Sequence, residues 1–409
     1  MEIAKVIATN IAHLLETKGL TQAELSSHLG ISRQTLANYL KGSSTIDSVR
    51  LLKTANFFNV PVSTLLEAQN VVRKPFLFRA TPAIKQYEDL VETKVFDYIR
   101  RYEAVFSSNR EASCFTPEQY DLRIEYNGQR VSVNYELNRF PSTRFIIDKS
   151  LHSEIWNIAD MQRKLLGLND AGAIELISAL NSKGIKIIFM QFSVPELFGV
   201  SVCDMTHGCY IFVNSDPDIT IERQLFTIAH EYAHLILHRP LFNDAAQQPM
   251  SSLYSDLLEK MANLFAGRLI CPAAVLYPYA GEFSTADSTL RSILFPVIRL
   301  KHRLNISMGS LIYALKSYGM ISRSVESEFY SYYNSKEEPY PLKDVPVLYQ
   351  SFIAAKSNHI IDNLRSAFIH GEHITEEDIV YFTDCDLESA SKVLRQFHEE
   401  NDQAYSSNN

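Results

Sequence analysis

Three residues in one predicted helix have the types and spacing of a hydrolytic metal site: His230, Glu231 and His234. Histidines four positions apart project from the same helix face, with Cβ atoms about 5–6 Å apart. Two imidazoles at that spacing can bind one zinc ion, each at about 2.0–2.1 Å. In an H-E-x-x-H helix the glutamate is not a ligand, because it faces the metal-bound water and accepts its proton. The pattern therefore predicts zinc-assisted hydrolysis with Glu231 as the base.

A catalytic zinc site needs a third protein ligand, and the next predicted helix offers one. Glu259 and Asn263 are four residues apart on a helix expected to end near Ile270, so they share a face. We predict that Glu259 binds the metal and that Asn263 hydrogen-bonds the outer nitrogen of a ligating histidine or fixes a loop carbonyl. Asp256, one turn earlier, is the alternative ligand.

Several further residues near the motif could contribute to the site, and we consider each in turn. A metzincin would require glycine at position 237 and histidine at position 240, where the chain has Leu237 and Pro240. His238 lies two turns from His230, about 12 Å along the axis, and is interpreted as a structural or supporting histidine. The group that stabilises the oxyanion stays open, with three tyrosines as candidates: Tyr232, Tyr277 and Tyr279.

The elements that must position these residues are a buried helix and a small sheet. The segment from Ile221 to His238 is apolar nearly all round, which predicts a buried helix that Arg239-Pro240 ends. Three apolar segments within 185–214 precede it and predict strands. The expected fold class is α+β and mainly helical. A zincin-like domain with a small sheet spans 151–285, and a helical region spans 286–409.

The N-terminal segment, 1–70, predicts an all-α helix-turn-helix domain. Thr21 with Glu24 forms a capping box, Gly30 ends the helix that follows, and Ser32 caps the next one. Polar residues near the start of that third helix are suited to contact bases, and neighbouring ones to contact phosphates. The candidate DNA contacts are Gln22, Ser32, Arg33, Gln34, Thr35, Asn38 and Lys41.

Charge limits how this domain binds. The whole chain carries a net charge of −8, so any contact with DNA must be local. Basic residues barely outnumber acidic ones within the N-terminal domain, which favours a homodimer that doubles the phosphate contacts on an operator. The alternative is a helical bundle that contacts proteins.

Between the two predicted domains lie a linker and a connecting region. Two prolines and a change of periodicity mark 71–83 as the linker. The connecting region, 84–150, predicts a helix and then a hairpin turning at Asn127-Gly128. Arg144 to Asp148 is a further candidate strand.

Cysteine content and the N-terminus favour a cytoplasmic protein. The five cysteines are scattered and no export signal or long apolar run is present, so all five are expected to be reduced. Cys203 and Cys209 could share a metal, but their spacing fits no common zinc motif.

Two parts of the sequence resemble known families. The segments FTIAHEYAHLILH and EKMANLFAGRLICP together resemble the ImmA/IrrE metallopeptidases, and the segment from Lys18 to Leu66 resembles the Xre/Cro repressor domains. The first resemblance implies zinc bound by His230, His234 and Glu259, with Glu231 as the base. The chain departs from the usual Leu-Gly at Tyr232 and Ala233, neither of which bears on metal binding.

The fusion implies a regulator that binds an operator and, when triggered, cleaves a repressor-type protein or itself. Because constant proteolysis would be harmful, a gated, gluzincin-like endopeptidase is expected. Two alternatives remain: a non-enzymatic regulator with a structural or sensory zinc, and an antitoxin-like module that only binds a partner protein. The intact Glu231 disfavours the first alternative, because a structural site does not need a base.

Overall fold

The computed structural model covers both predicted domains, and the predicted linker, 71–83, lies outside the described residues. The chain divides into the units Met1–Lys74 and Pro75–Asn409. No described helix by itself has the length and apolarity to cross a membrane, and only the bent pair Leu253–Ile270 and Ala273–Glu282 passes jointly. The described residues are 3–17, 20–42, 44–58, 60, 62–66, 87–106, 118–137, 140, 144–169, 171–204, 208–244, 252–283, 289–334, 352, 360–383 and 385–407.

The described residues of the first unit form five helices around an apolar core. Asn10 donates from its buried amide to the Leu65 carbonyl at 3.0 Å, which ties the first helix to the last. The buried side chains include Ile11, Leu25, Leu36 and Phe58. The helices are α1 (Ile3–Thr17), α2 (Gln22–Leu29), α3 (Arg33–Leu40), α4 (Ser48–Phe58) and α5 (Ser63–Leu66).

The second unit begins with a helix and a hairpin. Helix α6 (Glu88–Val105) is followed by β1 (Arg123–Tyr126) and β2 (Gln129–Ser132), which pair antiparallel across Asn127-Gly128 as predicted. Residues 144–148 form no strand, contrary to expectation. The reason is that Asp148 caps the helix that follows, accepting from the Leu151 amide at 2.8 Å, so the segment serves as a helix entry.

Three strands form the sheet beside the predicted site. They are β3 (Ile185–Met190), β4 (Gly199–Asp204) and β5 (Gly208–Asn214), in the order β3-β5-β4. The central strand β5 runs parallel to β3 and antiparallel to β4, and it is buried throughout. Because side chains alternate along a strand, Ile211 and Val213 enter one core while Tyr210 and Phe212 enter the other.

Helices cover both faces of this sheet. On one face lie α7 (Lys149–Leu165), α8 (Glu175–Asn181), α9 (Ile221–Leu237) and α11 (Ser252–Ile270), with the short α10 (Arg239–Asp244) between the last two. Helix α9 ends at Leu237 as Arg239-Pro240 predicted, but the chain resumes a helical path at once, because proline is tolerated in a first helical turn.

The C-terminal helices do not build a separate core. After α12 (Ala273–Leu276) and a 3₁₀ turn (Tyr277–Glu282), α13 (Leu290–Leu304), α14 (Met308–Ser317) and α15 (Arg323–Asn334) pack into the core that contains α9. On the other face of the sheet, α6 packs with three helices: α16 (360–369), α17 (Glu376–Thr383) and α18 (Leu387–Ser407).

One expectation about the cysteines is wrong. Cys203 and Cys209 face each other in the β4–β5 register with Cα atoms 4.1 Å apart, and their sulfurs are bonded in a disulfide. Register within a hairpin brings them together, and spacing along the sequence could not show this. Among the described cysteines, Cys271 and Cys385 are free.

Candidate metal centre and nucleic-acid interface

Helix α9 carries three of the predicted site residues and lies directly against β4. Thr220 caps its start by accepting from the Arg223 amide at 3.3 Å. The approach to the sheet requires a glycine: a Cβ on Gly199 would lie 2.5 Å from Thr227 Cγ2 and 3.1 Å from Glu231 Cγ. The sheet therefore fixes how far the candidate-site face of α9 stands from β4.

Atoms of three predicted ligands converge between α9 and α11. His230 Nε2 lies 3.1 Å from His234 Nε2 and 3.1 Å from Glu259 Oε2. His234 Nε2 lies 3.5 Å from Glu259 Oε1. The structure thus brings together residues that are 29 positions apart on two packed helices, whereas Asp256, the alternative ligand, is exposed and does not join the described lining of this cavity.

Each histidine is held from its outer side. His230 Nδ1 lies 3.0 Å from Asn263 Oδ1, an acceptor, so this ring nitrogen carries the proton and its Nε2 presents a lone pair. His234 Nδ1 lies 2.8 Å from Nδ1 of His238, which is fully buried. A proton shared across that second contact lets His234 also present a lone pair toward the centre.

Glu231 lies beside the converging atoms and is itself positioned. Its carboxylate Oε2 accepts a hydrogen bond of 2.7 Å from the Ser201 hydroxyl of β4. Both residues are buried, and Glu231 reaches the same cavity as His230, His234 and Glu259. Sequence reasoning missed Ser201, although a serine between Val200 and Val202 in a buried strand was an available signal.

The donor set fits a zinc ion. Two ligand atoms bound to one tetrahedral zinc at about 2.0–2.1 Å lie about 3.3–3.4 Å apart, close to the spacings among the three side chains. Two imidazoles and one carboxylate, with a second carboxylate left over, match the donors of catalytic rather than structural zinc sites. His230, Glu231 and His234 also form a group whose ligand atoms lie within 4.8 Å of one another.

None of the three tyrosines considered for oxyanion stabilisation belongs to the described cavity lining. Tyr232 points away from the cavity, because its buried hydroxyl donates to Gln162 Oε1 at 2.7 Å. Tyr277 is largely exposed, and Tyr279 lies near the guanidinium groups of Arg299 and Arg303. Burial raises the pKa of Tyr232, which keeps it neutral in its structural role.

In the first unit, the predicted helix-turn-helix contacts lie on and around α3. The Thr21–Glu24 capping box and the left-handed Gly30 set the turn between α2 and α3. Ser32 accepts from the Thr35 amide at 3.0 Å, so its hydroxyl serves the cap.

The other residues predicted to contact DNA are polar and accessible. Gln34 and Asn38 share one helix face and hydrogen-bond at 3.4 Å, while Arg33, Lys41 and Gln22 are exposed. Leu36 and Tyr39 occupy the opposite face and pack into the core. The arrangement leaves a polar face whose side chains have the donors and acceptors that read base edges.

Comparison with known proteins agrees with this division. Residues 9–71 match the family model described as a helix-turn-helix domain, and residues 180–316 match the one described as an IrrE N-terminal-like domain. The second match contains β3 to β5 and both helices of the candidate centre. No curated protein matches the chain. The chain is therefore similar to Xre-type helix-turn-helix domains over residues 9–71 and to ImmA/IrrE-type peptidase domains over residues 180–316.

Proposed function

We propose that the protein is a DNA-binding regulator with a gated, zinc-dependent endopeptidase that acts in the cytoplasm and cleaves a repressor-type protein. One observation carries the proposal: the Nε2 atoms of His230 and His234 and the carboxylate of Glu259 converge within 3.5 Å, beside Glu231. The peptidase-family match over residues 180–316 supports it.

His230, His234 and Glu259 would hold the zinc. A zinc ion lowers the pKa of its water to about 7 and polarises the carbonyl to be attacked. Asn263 and His238 keep both imidazoles turned so that their Nε2 lone pairs face the centre. The ligands are thus oriented before the metal binds, which favours affinity.

Glu231 is the base of the proposed reaction. It accepts a proton from the attacking water and then delivers it to the leaving amine, so that one carboxylate serves both steps. Ser201 holds one of its oxygens, Oε2, with a hydrogen bond of 2.7 Å. This bond limits the rotamers of Glu231, whose side chain lines the cavity.

The edge of β4 offers a place for an extended substrate. In the described part of the chain, β4 pairs with β5 alone, and Gly199 at its start belongs to the cavity lining. A peptide that pairs with this edge would use backbone hydrogen bonds for affinity and would pass the metal centre.

The helix-turn-helix domain would bring this activity to an operator. Helix α3 would enter the major groove with its polar residues facing base edges: Arg33, Gln34, Thr35 and Asn38. Gln22 and Lys41 would contact phosphates. A homodimer is proposed because one unit with so little net positive charge makes few phosphate contacts.

The test compares wild type with Glu231→Gln, which keeps the three proposed ligands. Both proteins are assayed for zinc content and for cleavage of themselves and of repressors encoded by neighbouring genes. The proposal expects about one zinc per chain in both and cleavage by wild type alone.

Operator binding is measured in parallel, because it separates the alternatives. Zinc-loaded wild type that binds its operator and cleaves nothing would identify a regulator with a structural or sensory zinc. A stable complex with a neighbour-encoded protein that is neither cleaved nor a repressor would identify an antitoxin-like module.

A further inference from the structure

An arginine lines the same cavity as the candidate metal centre and has no part in the chemistry described so far. Arg223 lies near the start of α9, seven residues before His230 and on the side that also presents Thr227 and His230 to the cavity. Seven residues of α-helix span about 10 Å along the axis. The backbone of Arg223 therefore stands about 10 Å along the axis from that of His230, and its side chain belongs to the cavity wall.

Aromatic rings fix the orientation of this guanidinium. Its Cζ lies 3.8 Å from the ring centroid of Phe198, at the entry to β4, and 5.8 Å from that of Phe226. Phe198 and Phe226 line the cavity as well. Stacking on a ring face leaves the N–H groups at the guanidinium edge free to donate in the ring plane, where a carboxylate binds in two-point fashion.

Arg223 is exposed to the cavity and has no ion-pair partner within the described part of the chain, although the exposed Glu196 lines the same cavity. No described carboxylate forms an ion pair with Arg223. Burial lowers the pKa of its guanidinium, and no charged neighbour contributes to that shift. The adjacent Glu222 is buried and pairs with Lys301 at 2.8 Å. A guanidinium held by rings, exposed to the cavity and without an ion-pair partner has its N–H donors available for a carboxylate.

We propose that Arg223 recognises a carboxylate of the peptide substrate, about three residues from the bond that is cleaved. The spacing follows from the geometry, since an extended chain rises about 3.3 Å per residue and would cover the 10 Å between Arg223 and the ligand His230 in about three residues. This inference rests on the proposed peptidase function and adds a specificity determinant to it. The carboxylate belongs either to an aspartate or glutamate side chain or to the C-terminus of the substrate.

The test uses zinc-loaded full-length protein and a mixture of N-acetylated undecapeptides with randomised central residues. The mixture is prepared in two forms, one with free C-terminal carboxylates and one with C-terminal amides. Cleavage products of wild type, Arg223→Gln and Arg223→Glu are sequenced by mass spectrometry. Arg303→Gln is the matched control, since Arg303 is another exposed arginine near an aromatic ring, Tyr279, and lies outside the described cavity lining.

We expect wild type to select aspartate or glutamate at one position two to four residues from the cut, or to cut peptides with free C-termini two to four residues from their last residue. We compare kcat/KM for a peptide that carries the recognised carboxylate with kcat/KM for the same peptide in which that group is a neutral amide. In Arg223→Gln this ratio should fall about tenfold to a hundredfold, the loss expected for a charged hydrogen-bonded pair. Arg223→Glu should shift the selection toward lysine and arginine, and Arg303→Gln should change nothing. Selection that persists among the amides assigns the contact to a side chain, and selection lost with the amides assigns it to the C-terminus.

A second measurement keeps the inference testable where no peptide is cleaved. Zinc-loaded Glu231→Gln and the double variant with Arg223→Gln are mixed with the same peptides, and those retained after ultrafiltration are sequenced. Retention of acidic peptides that depends on Arg223 supports the carboxylate site even if the peptidase proposal fails. The inference is overturned if wild type prefers neither acidic side chains nor free C-terminal carboxylates, or if its preference survives Arg223→Gln.

Discussion

At the scale of single residues, the candidate centre depends on hydrogen bonds that reach the site residues from behind. Asn263 and His238 contact the outer nitrogens of the two proposed histidine ligands, and Ser201 contacts the proposed base. None of the three supporting residues is a proposed ligand. Their contribution is orientation, so their replacement should have effects that can be told apart from the loss of a ligand.

Asn263→Ala tests the support of the metal site. Removing the acceptor 3.0 Å from His230 Nδ1 frees the imidazole to rotate, so zinc affinity should fall about tenfold to a hundredfold. The measurement is a competition titration against a chromophoric chelator. Asn263→Asp, which keeps an acceptor at the same place, should retain most of the affinity. Equal affinities for wild type and Asn263→Ala would contradict the prediction.

Ser201→Ala tests the positioning of Glu231. Loss of one buried hydrogen bond worth about 1–1.5 kcal/mol should lower kcat/KM about fivefold to tenfold while zinc content stays the same. The control is Ser132→Ala, since Ser132 is also a buried serine that donates to a carboxylate, on the hairpin strand β2. An equal loss of activity in both variants would point to a general loss of stability instead.

At the scale of elements, the distance between β4 and α9 is set by the absence of a side chain at Gly199. In Gly199→Ala the new Cβ would lie 2.5 Å from Thr227 and 2.9 Å from the Phe212 carbonyl, so the helix must shift. We expect a loss of about 1–3 kcal/mol in unfolding free energy, together with reduced cleavage.

A second helix supplies the control for Gly199. Gly267 lies inside α11, and a Cβ there would meet nothing within 4 Å. Gly267→Ala should therefore stabilise the protein by about 0.5–1 kcal/mol, because alanine is the better helix former. Urea denaturation measures the unfolding free energy of both variants. If Gly267→Ala is destabilised as Gly199→Ala is, overpacking is not the cause of the loss at Gly199.

Helices α6 and α17 are joined by an ion pair whose contribution depends on pH. Burial raises the pKa of Asp378, but hydrogen bonds from Thr375 and Arg101 outweigh it, so the pKa is lowered in the folded state. A lowered carboxyl pKa adds stability that is present above the unfolded value, about 3.9, and is lost as pH falls through the folded value. Asp378→Asn should thus cost about 1–3 kcal/mol at pH 7, and this difference should shrink as pH falls below about 4 toward the lowered folded pKa.

Urea denaturation across a pH series measures the Asp378 effect. The control is Asp97→Asn. Asp97 lies on α6, as Arg101 does, and its replacement removes an exposed ion pair with Arg100. Exposed pairs contribute about 0–1 kcal/mol, so this variant should remain close to wild type throughout. A cost of Asp378→Asn that stays constant down to pH 3 would contradict the assigned cause.

At the scale of the whole molecule, the two units should respond separately to zinc. The proposed ligands all lie in Pro75–Asn409, so zinc at a hundred times its Kd should stabilise that unit by about 2.7 kcal/mol. In calorimetry of the full chain, a chelator should lower one transition and leave the transition of Met1–Lys74 in place.

Two variants assign the transitions in this experiment. Leu36→Ala removes a buried side chain from the core of the first unit and should lower its transition alone. His230→Ala should abolish the response to zinc. If the chelator lowers both transitions in wild type, zinc acts on more than the proposed centre.

Local patterns in the sequence were sufficient to place several elements and to bring the candidate residues onto shared helix faces. The capping box at Thr21, the Asn127-Gly128 turn and the periodicity of α9 and α11 depend on near neighbours, and the structure shows each of these elements. The H-E-x-x-H spacing put two imidazoles on one helix face for the same reason, because four residues complete about one helical turn. The metal, its ligands and the reaction stay proposals.

Contacts between distant segments were decided by the tertiary structure alone. Ser201 reaches Glu231, Phe198 stacks on Arg223 and Cys203 bonds Cys209 because the register of β4 beside β5 and α9 brings them together. The orientation of Tyr232 away from the cavity was settled in the same way, by its bond to Gln162 on α7. Spacing along a chain specifies faces of one element, whereas the packing of several elements specifies which faces meet.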